Sequence, residues 1–280
     1  MARLLEGKPV AEKIRQDIVK EIETLGKKPV LASVMVGDNS GAEAYVKSQK
    51  KIAEALGVEY QLHKLSSGTT EHALAEFIEK LNKDKSVNGI IIQMPLPQQI
   101  DYKLISQHIQ PDKDIEGMHP ANIGKVVFGK AKLIPCTAAA VMELLNAAEV
   151  ELKGKEVVVV GHSEIVGKPL ALLLLDKLAT VTVCHIGTFE AKKLEEHVRK
   201  AEILIVAVGK AELIPGDWVK DGAVVIDVGI NRVGDRVVGD IEHEGAFRHA
   251  SIITPVPGGV GPLTVVMLMR NLVEAAKLQK

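Results

Sequence analysis

The amino-acid sequence predicts an α/β protein built of two α/β domains around a cleft, the second a doubly wound, Rossmann-type parallel sheet. Three observations carry this expectation. From about Lys155 to Val256 short aliphatic runs alternate with segments of helical spacing. Those runs are continuous and β-branched rather than alternating, which marks strands buried on both faces of a parallel sheet. A chain of 280 residues also fits about two domains at roughly 100–200 residues each.

In the first half, Val10–Leu25 has helical spacing and VLASVMVG (Val30–Gly37) reads as a strand. A helix at about Ala42–Leu56, a strand VEYQLHKL (Val58–Leu65), a helix at Thr70–Asn82 and a strand GIIIQM (Gly89–Met94) follow. A helix at about Thr137–Ala148 bridges the halves. In the second half the strands are EVVVVG ending at Gly161, TVTVCH ending at His185, ILIVAVG ending at Gly209, AVVIDVG ending at Gly229, and IITPV ending at Val256. Val166–Leu178 and Thr188–Lys200 are the intervening helices, and Leu263–Lys277 carries a last helical pattern. Ligands are expected in the cleft, beside the carboxyl ends of strands.

Composition excludes several classes. Lys plus Arg is 35 against 36 for Asp plus Glu, so no global field draws nucleic acid or an acidic membrane. Aromatic residues are only 3% of the chain, which leaves little stacking surface. Cys136 and Cys184 are the only cysteines; without a CxxC pair they fit a reducing compartment rather than a disulfide or zinc framework. MARLLEGKPVAEKI has no signal-peptide apolar core, and the longest greasy run, Pro169–Leu175, is too short to span a bilayer. A cytoplasmic protein is expected. His162, His185, His243 and His249 show no HExxH-like spacing, so no metal is expected, and Ser163 lacks the GxSxG elbow of a serine hydrolase.

Four segments could carry chemistry. Thr254–Thr264, TPVPGGVGPLT, is a loop with almost no polar side chains; its prolines and glycines make a shaped piece of backbone, suited to a flat ligand or to a tight turn. GHSEIVGKP follows the first strand of the second unit from Gly161, with Ser163 where a GxGxxG fingerprint has its second glycine. In a strand–turn–helix setting this points to a dinucleotide pyrophosphate. Gln93 ends a buried strand, where a polar side chain faces a ligand or caps a loop. Tyr45 and Gln49 share a helix face at i, i+4, whereas Lys47, Lys50 and Lys51 point away from it. PDKDIEGMHP (Pro111–Pro120) by itself reads as a surface loop.

Together these segments closely resemble the bifunctional methylenetetrahydrofolate dehydrogenase/methenyltetrahydrofolate cyclohydrolase family. The matches run collinearly over essentially the whole chain: GDN at Gly37, the helix led by Tyr45, GIIIQMPLP from Gly89, PDKDIEG from Pro111, PCT at Pro135, VVVGHSEIVGKP from Val158, GDWVKDGAVVIDVGIN from Gly216 and TPVPGGVGP from Thr254. The resemblance implies a folate-binding catalytic domain, residues 1–136 plus 262–280, and an NAD(P)-binding Rossmann-type domain, residues 137–261. It implies oxidation of 5,10-methylenetetrahydrofolate, then hydrolysis of the methenyl product to 10-formyltetrahydrofolate. By position, Tyr45 and Gln93 match the active-site tyrosine and glutamine, and Pro257, Gly258 and Gly259 the loop against folate and nicotinamide. Gly161, His162, Ser163, Ile186 and Ile230 fall at cofactor-contacting positions. A homodimer through the cofactor domain is implied as well.

Departures from the family pattern refine the expectation. The pattern YVxxKxK puts a catalytic lysine four residues after the tyrosine, and here that position is Gln49. The acid that holds the pterin is usually Asp; here it is Glu116, one methylene longer. Ser40-Gly41-Ala42 replace Pro-Ala-Ser, removing a capping hydroxyl, and His162 replaces a frequent arginine. Hydride transfer needs positioning above all, whereas hydrolysis needs a proton carrier that typically contributes about 10²–10⁴-fold. A glutamine amide does not usefully titrate. The expectation is a dehydrogenase with impaired or absent cyclohydrolase activity. Alternatives are a bifunctional enzyme using another proton carrier, or a non-catalytic folate- or nucleotide-binding relic. Family habit favours NADP; the missing arginine favours NAD or dual use.

Overall fold

The computed structural model of the protein describes residues 2–280, the side chain of residue 40 excepted. Its elements are, in order, β1 (Arg3–Leu4), α1 (Gly7–Leu25), β2 (Val30–Val36), α2 (Ser40–Ala55), β3 (Glu59–Leu65), α3 (Glu71–Lys83), β4 (Gly89–Ile92), α4 (Tyr102–Ile105), α5 (Pro120–Val127) and α6 (Cys136–Ala147). There follow β5 (Glu156–Val160), α7 (Gly167–Asp176), β6 (Thr180–Cys184), α8 (Ile186–Glu190), α9 (Leu194–Lys200), β7 (Ile203–Val206), β8 (Val224–Asp227), β9 (Asn231–Val233), β10 (Arg236–Val238), α10 (His243–His249), β11 (Ile252–Ile253) and α11 (Gly261–Leu278). The fold is α/β, and the chain divides into two compact units, Met1–Glu12 with Thr137–Thr264 and Lys13–Cys136 with Val265–Lys280. Among the described residues no helix is long and apolar enough to cross a membrane.

The larger unit holds a six-stranded parallel sheet in the order β1-β11-β8-β7-β5-β6. The chain leaves β5 for β6 on one side and returns to β7 on the other, so the strand order reverses around β5. This is the Rossmann-type switch point, where ligands bind beyond the strand ends. Val157–Val160 and Ile203–Val206 are buried throughout, as expected of central parallel strands. β6 departs from that expectation: its residues are largely half-buried, because it is the edge strand. β1 pairs with β11, so residues 2–12 group with this unit, whereas the sequence placed the start of the chain with the folate-binding domain. The single helix expected over Thr188–Lys200 is two, α8 and α9. Lys192 adopts φ 57°, a left-handed conformation that ends a helix, and α9 restarts with Leu194 and Val198 buried four residues apart.

The smaller sheet is parallel, in the order β3-β2-β4. β2 is buried along its whole length, and its Ala32, Val34 and Val36 pack with Ile90, Ile92, Leu74 and Ile78. The start of α2 is capped by Asn39, whose Oδ1 accepts from the backbone N–H of Gly41 at 2.9 Å and of Ala42 at 3.0 Å. The cap thus lies one residue ahead of the Ser40-Gly41-Ala42 triplet; the Ser40 side chain itself is outside the described residues. Nor is Pro111–Pro120 a surface loop. Lys113 and Asp114 are buried, the ammonium of Lys113 donating to the carbonyls of Leu81 at 3.0 Å and Asp84 at 2.6 Å. Asp114 accepts from the Asn122 amide at 2.9 Å and the His119 N–H at 2.7 Å. Each buried charge has found donors or acceptors, as it must, and the segment is held rigid on the sheet.

Candidate active site

In the smaller unit a polar cluster is set into the aliphatic core. Gln49, on α2, is completely buried, as are Ser33 on β2 and Gln93 just beyond β4. Gln93 Nε2 donates to Ser33 Oγ at 3.0 Å and to Gln49 Oε1 at 2.9 Å. The Tyr60 hydroxyl, from β3, donates to the same Gln49 Oε1 at 2.8 Å. Gln49 Nε2 is buried without a hydrogen-bond partner. Tyr45, one turn before Gln49, is 41% exposed. Its phenol is pushed up to about 12 by burial of the hydroxyl end, with Cys136 and Glu116 adding to the rise and Gln49 opposing it. Tyr60 is likewise held at about 12 by burial, the Ser33 hydroxyl pulling the other way. Both phenols stay protonated at neutral pH. Lys47, Lys50 and Lys51 are all exposed, on the far side of α2.

Glu116 belongs to the same neighbourhood. Its carboxyl is raised to about 7, first by burial, then by Asp114, with a hydrogen bond from Tyr102 opposing. The Tyr102 hydroxyl donates to it at 3.1 Å; burial and the adjacent carboxylate raise that phenol strongly, so it remains a donor. Behind Glu116, the buried Asn271 of α11 donates to the carbonyls of Ile115 and Ile134, each at 2.8 Å. Tyr45, Gln49, Gln93 and Glu116, singled out in the sequence, therefore come together here. Tyr60, Tyr102, Ser33 and Asn271 were not foreseen. Nothing in local sequence marks them; parallel pairing brings Tyr60 and Ser33 to the cluster.

The larger unit carries a pocket at the carboxyl ends of β5, β6 and β7, with a cavity of about 350 Å³. Gly161, His162, Ser163, His185, Ile186 and Lys210 line it. Gly161 has φ 118°, and a Cβ there would stand 2.2 Å from the Ala207 carbonyl oxygen, so only glycine lets the turns after β5 and β7 approach so closely. α7 begins at Gly167, one residue after the expected start, and has no side-chain cap there. Its first-turn amides suit an anionic group. The His162 and His185 rings lie 5.2 Å apart, and Lys210 Nζ stands 5.2 Å over the Phe189 ring. Bare backbone, a polar turn and the nearby Lys210 ammonium fit a dinucleotide. Ile230 is not part of this pocket; it is 65% exposed and lies beside Gly261.

Two buried aspartates brace this unit. Asp240 accepts from the N–H groups of Val208 at 2.7 Å and of Gly209 and Lys210 at 2.9 Å, and from the Asn231 amide at 2.8 Å. Asp227 accepts from Gly229, Asp240 and Ile241, and burial still lifts its carboxyl to about 6. The N–H of Asp227 donates to Thr254 Oγ1 at 2.8 Å, which anchors the start of the Pro-Gly loop. In that loop Gly258 has φ 117°, and its carbonyl accepts from Gly7 N–H at 2.8 Å. A Cβ on Gly259 would meet the Thr254 side chain at 2.7 Å. Pro257 is exposed, so the loop presents an apolar ring over a fixed backbone.

Two family profiles cover most of the chain. The tetrahydrofolate dehydrogenase/cyclohydrolase catalytic domain matches residues 5–116, and the NAD(P)-binding domain of the same family matches residues 135–280. The chain belongs to the tetrahydrofolate dehydrogenase/cyclohydrolase family. It is 50% identical over 281 residues to the bifunctional protein FolD of Pelobacter propionicus, covering 99% of this chain and 98% of that one. The bifunctional FolD methylenetetrahydrofolate dehydrogenase/cyclohydrolase of Campylobacter jejuni superposes with a TM-score of 0.96 at 42% identity, covering 100% of both chains. The Trypanosoma brucei dehydrogenase-cyclohydrolase, complexed with NADP and an inhibitor, gives 0.93 at 37% identity over 99% of this chain and 98% of its own. The profile boundaries assign the polar cluster around Gln49 to the family's catalytic domain and the Gly161 pocket to its NAD(P)-binding domain.

Proposed function

We propose that this chain oxidises 5,10-methylenetetrahydrofolate to the methenyl form with NAD(P)⁺, and that it hydrolyses the product to 10-formyltetrahydrofolate feebly or not at all. The folate is assigned to the cluster of Tyr45, Gln49, Gln93 and Glu116, while Pro257, Gly258 and Gly259 are carried as substrate positions by family resemblance alone. The cofactor is assigned to Gly161, His162, Ser163 and Ile186 of the pocket; Ile230, outside it, is carried as a cofactor position by family resemblance alone. When bound, the nicotinamide supplies the hydride acceptor. The protein's part in that step is placement and exclusion of water, and the buried amides and protonated phenols supply both without moving a proton. The observation that carries the reading is Gln49, a buried amide at the position of the family's lysine. Hydrolysis must activate water, and neither Gln49 nor phenols held at about 12 titrate near neutral pH.

A fully bifunctional enzyme is the second reading. Relatives called bifunctional favour it, as does Glu116, poised at about 7, as another carrier of the proton. One experiment separates the two: NAD(P)H and methenyl-folate absorbance are followed together, with each cofactor. The expected result is a persistent methenyl signal that Gln49→Lys shortens by roughly 10²-fold, with far less change in hydride transfer. Rapid methenyl loss in the wild type, unchanged in Gln49→Lys, would overturn the argument from Gln49. For the cofactor, Lys210 and two histidines favour a 2′-phosphate, while the lack of arginine favours NAD. Weak discrimination follows, within about 100-fold or roughly 2.7 kcal/mol.

A further inference from the structure

The hydrogen bonds around Gln49 all run one way. Gln93 Nε2 gives its two hydrogens to Ser33 Oγ and Gln49 Oε1. The Tyr60 hydroxyl gives its own hydrogen to Gln49 Oε1 as well. Both lone pairs of that carbonyl oxygen are used. Turning the amide over would set Gln49 Nε2 against the N–H of Gln93, donor against donor. The network is therefore polarised towards Gln49 Oε1, and Nε2 is left as a buried donor with no partner. Leaving such a group unmet is costly, and a bound acceptor is one way to meet it. Tyr45 stands one helical turn before Gln49, on the same face of α2. Nε2 itself is buried, and Tyr45 is the partly exposed member of the cluster, so the Tyr45 side is the way in for a ligand.

We propose that Tyr60 is a positioning residue: its hydroxyl locks the Gln49 amide with Nε2 turned towards the Tyr45 side, as a neutral donor for a carbonyl oxygen of the bound folate. The inference rests on the folate reading given above. Chemistry selects the acceptor. The nitrogens flanking the reacting carbon must release their lone pairs as hydride leaves, and a donor bound to either would hold those electrons back. The pterin carbonyl is free of that conflict. A neutral donor also avoids repelling the cationic methenyl product, as a lysine ammonium at this position would.

The test uses tetrahydrofolate, which keeps the pterin carbonyl but lacks the bridging carbon, so binding is read apart from chemistry. Its affinity is measured by calorimetry, alongside KM and kcat for 5,10-methylenetetrahydrofolate oxidation, in wild type, Tyr60→Phe, Gln49→Leu and the double variant. Thermal melting checks that each is folded. Tyr60→Phe is expected to weaken tetrahydrofolate binding and raise KM by roughly tenfold, the effect of one misdirected hydrogen bond, with kcat within about twofold, as for a contact made equally in ground and transition states. In the Gln49→Leu background the same change is expected to do nothing further. Equal affinity in wild type and Tyr60→Phe, or an effect of the same size in both backgrounds, overturns the proposal. Wild type that does not bind tetrahydrofolate at all overturns the folate reading itself, and the proposal with it.

Discussion

Glu116 shows how one methylene and one environment alter a residue's task. Its carboxyl is lifted from 4.5 to about 7, by burial and by Asp114, despite the hydrogen bond from Tyr102. For stability the sign is the reverse of the usual carboxylate. Between pH 4.5 and 7 the folded state holds a proton that the unfolded state has lost, so this group's contribution falls as pH rises through that window and is fully present below it. For binding, the charged form is the one that accepts hydrogen bonds from a pterin ring. The expected profile has KM for the folate level above pH 7 and rising below it, by up to roughly tenfold per pH unit for a single proton. Glu116→Gln should flatten the profile at a uniformly weakened affinity. A wild-type profile without a break near pH 7 would remove Glu116 from pterin recognition.

At the scale of elements, the strands and most helices are legible in sequence because parallel burial writes long β-branched runs. What is not legible is set by partners distant in the chain. β1 is two residues with no pattern of their own; its pairing with β11 exists only once the sheet is built. Pro111–Pro120 has the composition of a loop, and its burial follows from hydrogen bonds to Leu81, Asp84 and Asn122. Of the candidate site, the residues on recognisable motifs were found, whereas Tyr60 and Asp240 act through side chains whose targets lie 11 and about 30 residues away. Asp240 makes the point testable. It satisfies three consecutive amides in the turn after β7, which lines the cofactor pocket through Val208 and Lys210. Asp240→Ala leaves those amides unmet at about 1–3 kcal/mol each. The expected outcome in urea titration is a loss of at least about 3 kcal/mol, with a raised cofactor KM; Asp240→Asn should lose less. A variant as stable as wild type would mean that the turn holds its shape unaided.

At the scale of the whole molecule, the six-stranded sheet ends in an edge that a single chain leaves open. β1 is a two-residue strand at one end, short enough to be protected. β6 at the other end is five residues long, and among the described residues its backbone pairs only with β5. Its side chains are half-buried, and beside it Leu175 and Leu178 are 50% and 64% exposed. An aliphatic, uncharged edge of this kind invites pairing with another strand, and two copies related by a two-fold axis offer each other the same surface. We expect a homodimer through this edge of the NAD(P)-binding unit. Sedimentation velocity at micromolar concentration should return twice the chain mass. Replacing both leucines, Leu175→Asp with Leu178→Asp, should shift the equilibrium to monomer, since like charges would then face each other across the axis. Because both side chains are largely exposed, the variant should melt at nearly the same temperature once dissociation is allowed for. A wild type that sediments as a monomer sinks the prediction. A variant that stays dimeric moves the interface away from β6, and the open edge then needs another explanation.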